Sequence, residues 1–112
     1  MPTFISLNKS KRDKKKYVIK LDNPKQTIHF GSKNSKTYLD HKDTHKRENY
    51  LARHKALNED WTKINAGSLS KFLLWGEHTN LKDNLDDYLK ICFIILLLLL
   101  LFNVLFSTTS LL

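Results

Sequence analysis

The spacing of apolar positions changes period along the chain. In KYVIKL, Lys16–Leu21, the residues Tyr17, Ile19 and Leu21 alternate with Val18 and Lys20, which is a strand pattern. DNPKQ then reads as a turn, because Asp22 and Asn23 tolerate turn geometry and Pro24 fixes φ. TIHF, Thr27–Phe30, gives a second short strand with Ile28 and Phe30 on one face, ended by Gly31. The pair predicts a β-hairpin, which is marginal alone and needs a packing partner. Further on the period lengthens to that of a helix. Asp40 is the expected N-cap, with Asp43 suited to the positive helix start. Tyr50, His54, Leu57 and Trp61 fall at i, i+4, i+7 and i+11, an aromatic stripe that predicts a helix lying over the hairpin. AGSLSKFLLWGE predicts a short helix capped by Ser68 or Ser70 and stopped by Gly76. TNLKDNLDDYLK predicts another, capped by Thr79 or Asn80, with Leu81, Leu85, Tyr88 and Leu89 on one face. No breaker separates Tyr88 from Ile91, so this last helix is expected to run on into the apolar segment that follows.

That segment, ICFIILLLLLLFNVLF, is nearly all aliphatic or aromatic and is broken only by Asn103. Residues 91–112 carry no Lys, Arg, Asp or Glu. As a helix they reach roughly 33 Å, against a hydrocarbon core of about 30 Å. The expectation is a single C-terminal transmembrane helix, a tail anchor, with the N-terminal domain held cytosolic by the positive-inside rule. The lone cysteine, Cys92, excludes an internal disulfide and reads as apolar filler, with palmitoylation the sharper alternative.

The predicted organisation is therefore a basic flexible arm over residues 1–16, a small α+β domain over 17–90, and a transmembrane tail anchor over 91–112. The α+β domain is a short N-terminal β-hairpin packed by two to three helices. A chain of 112 residues holds one small domain at most.

Charge sharpens the functional reading. The net value of +8 belongs entirely to the first 90 residues, and it favours anionic partners. Lys9, Lys11, Arg12, Lys14, Lys15 and Lys16 crowd the arm; Lys42, Lys46, Arg47, Arg53 and Lys55 follow on the predicted helix. These are the candidate contacts to an acidic protein, to DNA or RNA phosphates, or to an anionic bilayer surface. His41 and His45 stand at i, i+4 as in the HExxH zinc motif, but Lys42 occupies the position of the glutamate base, so no metal is expected. There is no glycine-rich phosphate loop, Ser68 and Ser70 have no His–Asp partners at informative spacing, and Cys92 lies in the apolar run. A noncatalytic protein without cofactor or small-molecule substrate is expected.

The blocks FGSKNSKTYLDHKD, KRENYLARH, EDW and AGSLSKFLLWGE, in that order, resemble an uncharacterised family of small proteins of nucleocytoplasmic large DNA viruses. Its pattern covers Phe30, Gly31, His41, Lys42, Asp43, Tyr50, Arg53, His54, Trp61 and Trp75, within a match from about Lys16 to Leu89. Leu39 departs from it, standing where a small polar residue is usual, and the apolar tail is not typical of most members. The resemblance implies a viral, virion-associated protein, a minor capsid or internal-membrane component without established activity. The expected function is a membrane-anchored structural adaptor that docks an acidic partner such as a capsid-shell protein; the alternative is a membrane-tethered nucleic-acid binder.

Overall fold

The computed structural model describes residues 2–110, and for 92–96 and 106–110 it describes the backbone alone. Its architecture is α+β. Strands β1 (Thr3–Lys9), β2 (Lys15–Asp22) and β3 (Gln26–Ser32) form an antiparallel meander with β2 in the middle. Across β2 and β3, Tyr17 pairs with Phe30 and Ile19 with Ile28, so the alternation seen in the sequence becomes one apolar face. The turn between these strands falls where Asp22–Gln26 placed it, and it contains a cis Asn23–Pro24 bond.

The hairpin thus gains a strand, and the arm expected over residues 1–16 is corrected. Residues 3–9 are β1, and 10–14 form a turn closed by Ser10 N–H to Lys16 O at 2.9 Å. The sequence hides this strand because its register shifts between Phe4 and Ser6. A bulge there lets Phe4 and Leu7, three residues apart, both pack against the core, which breaks the two-residue period.

The expected helix start also differs. A short helix α1 (Tyr38–His41) precedes α2 (Thr44–Ala56), and Lys42 at φ 56° separates them. Asp40 does not cap α2; its carboxylate closes the first turn of α1 by accepting from the Thr37 N–H at 2.7 Å. Asp43 is the cap of α2, accepting from His45 N at 2.9 Å and Lys46 N at 3.2 Å. Helix α2 ends at Ala56, and Asn58 follows at φ 58°. Leu57 is consequently 71% exposed, and Trp61 comes back from a non-helical turn rather than along the stripe.

Next come α3 (Ala66–Leu69), a π-helical turn (Ser70–Leu74) and the long α4 (Leu81–Ser110). The cap of α3 is Asn65, one turn before the serines: it accepts from Ser68 N at 2.8 Å, while its own N–H reaches Ser68 Oγ at 3.1 Å. Asn80 caps α4 through Lys82 N at 2.8 Å. The core lies between the inner face of the sheet and these helices: Ile19, Leu21 and Phe30 meet Leu69, Leu73, Leu74 and Tyr88. Each such side chain, removed from water, contributes about 1.5–3 kcal/mol. Gly31, the next-to-last residue of β3, sits at φ +79°, and a Cβ there would stand 2.8 Å from Leu74 Cδ1, so the glycine permits both the bend and the approach of the π turn.

The expected membrane anchor is not found. Among the described residues, no helix is long and apolar enough to cross a membrane. The first ten residues of α4 include Lys82, Asp83, Asp86, Asp87 and Lys90, and they belong to the folded domain through Asn84 and Tyr88. Beyond Ile91, the described side chains run from Leu97 to Leu105, and the large hydrophobics among them are about half to two-thirds exposed. The single-pass topology and the cytosolic placement that followed from it fall with the anchor. The palmitoylation alternative at Cys92 lies outside the described side chains, as do the final residues of the tail.

Candidate functional site

The blocks that stand out in the sequence converge in space. The cap at Asp43 starts α2 so that Tyr50 and His54, four residues apart, stack at 4.0 Å between ring centroids. The π turn adds a residue to the helical ladder, Trp75 N–H bonding back to Ser70 O at 3.1 Å, and Trp75 leaves it lying flat on Tyr50 at 4.1 Å and 3°. His41 tilts on Trp75 at 5.3 Å, and Tyr38 meets the edge of His41 at 6.2 Å. The result is a ladder of rings linking α1, α2 and the π turn. Arg47 locks it from α2: its Nε–H donates to the carbonyls of Trp75 and Gly76, each at 3.0 Å.

Glu59 ties the far end. One carboxylate oxygen pairs with His54 Nδ1 at 2.8 Å, and the other accepts from Trp61 Nε1 at 3.0 Å. Burial works against its charge, but the hydrogen bonds from His54 and Trp61 outweigh it and hold the carboxyl below its ordinary range. Burial, with the charge of Glu59, pushes the Tyr50 phenol up to about 12. That phenol keeps its proton at neutral pH. A cleft of about 590 Å³ opens beside Tyr50, His54, Glu59 and Trp75, with Lys14 and Lys15 at its rim. A carboxylate-held imidazole is the geometry of a general base. Among the described residues, however, no serine, threonine or cysteine is hydrogen-bonded to His54.

The remaining pattern residues have structural places. Phe30 is wholly buried and Gly31 makes the bend beside it. Lys42 adopts the left-handed turn between α1 and α2, and Asp43 is a cap. Arg53 lies along its own helix, its Nε donating to Asn49 O at 3.4 Å.

The candidate cations divide. Lys9 ends β1, Lys11, Arg12 and Lys14 occupy the β1–β2 turn, and Lys15 and Lys16 begin β2. Lys42, Lys46 and Lys55 project from the helical side, and Arg47 is spent on backbone carbonyls. Among all of these, only Lys16 has a carboxylate within ion-pair distance in the described residues, Asp40 at 3.4 Å.

On the outer face of the sheet the register sets Asn8 beside Val18 and Val18 beside His29, with Lys20 beside Thr27 one row along. Lys9, Lys11 and Lys20 line a groove of about 480 Å³ with these residues, and no carboxylate lines it. His29 forms its floor and bonds Ser10 Oγ through Nδ1 at 2.7 Å. Desolvation, then the charges of Arg12 and Lys15, hold its pKa below the usual 6.5.

Sequence reasoning named Lys9 and Lys11 but missed Lys20, Thr27 and His29, because only strand register brings them together. It missed Glu59, although the EDW block contains it. It also missed Asn84, buried at 2% exposure, whose amide donates to Leu73 O and His78 O at 3.0 and 2.9 Å.

Comparison with known proteins gives one partial likeness. No curated protein and no solved structure matches the chain. Over residues 5–54, from β1 to near the end of α2, it is similar to a family of unknown function, DUF5754.

Proposed function

We propose that this protein is a noncatalytic structural adaptor that docks an anionic partner on the outer face of its sheet. The observation that carries the reading is the groove lined by Lys9, Lys11 and Lys20 without a neutralising carboxylate. The lysines stand on strands and a hydrogen-bonded turn rather than on a loose arm, so less chain must be ordered on binding. The resemblance to small proteins of large DNA viruses supplies the setting: a virion structural component meeting the acidic face of a shell protein.

Nucleic acid is the second reading. The groove offers cations, Asn8, Thr27 and His29 but no Phe, Tyr or Trp ring. The ladder rings Trp75 and Tyr50 already stack on their neighbours. That chemistry suits duplex phosphates rather than unstacked bases.

His29 is the reporter that tests both. An anion in the groove offsets the fields of Arg12 and Lys15, so the imidazole midpoint of His29, followed by NMR in the full chain, rises on binding. Duplex DNA and polyglutamate are the two probes, each over a salt series. Steep, salt-sensitive binding to DNA alone favours the genome-tethering reading; binding to polyglutamate favours the adaptor. If both saturate elsewhere and leave His29 unmoved, the sheet face is not the docking surface.

A further inference from the structure

A second cavity, of about 350 Å³, lies between α2, the π turn and α4, away from the outer face of the sheet. Phe72, Trp75, Tyr88 and Ile91 give it apolar walls, and Arg47, Lys71 and Lys90 give it cations. From this geometry we infer that the cavity is a docking pocket for an acidic peptide segment, taking one carboxylate flanked by an apolar side chain.

The two inner cations are unusually placed. Arg47 is fixed by its Nε–H on the carbonyls of Trp75 and Gly76, so its guanidinium is held in the wall rather than free to swing away. Lys71 lies over the rings of Phe72 at 4.0 Å and Trp61 at 4.7 Å, and among the described residues no carboxylate comes within ion-pair distance of it. Burial, then the charge of Arg47, makes the Lys71 ammonium easier to deprotonate than a free lysine, with Glu77 opposing weakly. An anion between the two cations relieves that repulsion. Two nearby positive charges therefore share a partly buried, apolar-walled site in which, among the described residues, no carboxylate pairs directly with either.

The charge of the rim selects the kind of anion. Glu77 and Asp87 also line the cavity, and Asp87 is held by His78 Nε2 at 2.6 Å. Three cations against two carboxylates leave one net positive charge, which matches a monoanionic carboxylate and disfavours a run of phosphates. The volume lies at the low end of ligand cavities, about 300–1,000 Å³, and suits one side chain with its acid rather than a nucleotide. The inference is independent of the sheet-face reading, because none of these residues lines that groove.

The test uses the full chain, with N-acetyl-phenylalanine and its amide as probes and the amide shift of Gly76 and the indole shift of Trp75 as readouts. Saturable binding of the acid is expected, with the amide weaker by about tenfold, the loss of one charge-assisted contact. Lys71→Gln should weaken the acid by a similar factor, Lys71→Arg should restore it, and Lys82→Gln, on the exposed start of α4, should leave it unchanged. Equal binding of acid and amide overturns the proposal whatever the variants do. Inorganic phosphate binding more tightly than the acid overturns it in favour of a phosphate ligand. Unchanged binding in a folded Lys71→Gln protein overturns the role of the cation pair.

Discussion

Tyr50 sits between two rings, Trp75 at 4.1 Å on one face and His54 at 4.0 Å on the other, and it shares its surroundings with a carboxylate. Its raised pKa has a defined consequence. The folded state holds the phenolic proton more tightly than the unfolded chain does, so the contribution to stability is complete below pH 10 and is lost as pH rises from 10 toward about 12. In an alkaline titration of tyrosinate absorbance, Tyr50 should therefore contribute a late component, and Tyr50→Phe should reduce it. Glu59 works in the opposite direction. Its folded pKa lies below the ordinary 4.5 of a free glutamate, so the stabilisation it gives is present above that value and is lost as acid carries the pH down through the folded one. Glu59→Gln should lower stability at neutral pH by about 1–2 kcal/mol and flatten this part of the acid limb, since two charge-assisted hydrogen bonds become neutral ones. Urea melts at neutral and acid pH give the difference curve; a variant that keeps the full acid slope sinks this account of Glu59.

Between elements, short polar contacts decide geometry that apolar periodicity leaves open. Asp43 fixes where α2 begins, and hence which face carries Tyr50 and His54; Asp43→Ala should lower the midpoint of chemical denaturation. Asn84 fastens α4 to the turn before it, donating to Leu73 O and His78 O and accepting from His78 N at 2.9 Å. Asn84→Ala strands those buried backbone groups and should cost about 2–3 kcal/mol. The same comparison shows what the sequence made legible. The faces of β2 and β3 were readable from Ile19, Ile28 and Phe30 because strict alternation survives there. Strand β1 was not, because a bulge spoils the period between Phe4 and Leu7. The stripe through Leu57 and Trp61 was half legible: helical spacing gives Tyr50 and His54, but nothing local announces that Asn58 turns left-handed. The caps at Asn65 and Asp43 were displaced by a few residues, since Ser, Asp and Asn compete as caps and tertiary fit chooses among them. The transmembrane reading of the apolar run is overturned by the described part of α4, in which no stretch is long and apolar enough to cross a membrane.

Over the whole molecule the excess charge of +8 is spread unevenly, and its placement decides which face meets a partner. Sequence alone treats Lys9, Arg47 and Lys55 alike. The fold sends Arg47 inward onto two carbonyls, leaves Lys55 on α2 and puts Lys9 beside Lys11 and Lys20 over a carboxylate-free groove. These sites make different demands on salt. For binding to duplex DNA, each phosphate contact contributes about 0.9 to the slope of log affinity against log salt. Replacing Lys9, Lys11 and Lys20 with glutamine should therefore reduce the slope by about 2.7, while replacing Lys42, Lys46 and Lys55 on the helical side should leave it unchanged. Both triples are exposed, so thermal melts of the two variants should stay close to that of the parent chain. The comparison is internally controlled, because each triple removes the same formal charge and differs only in position. A slope that falls equally in both means diffuse attraction by net charge; a fall confined to the helical triple moves the docking surface to α2; a fall confined to the sheet triple assigns it to the groove above His29.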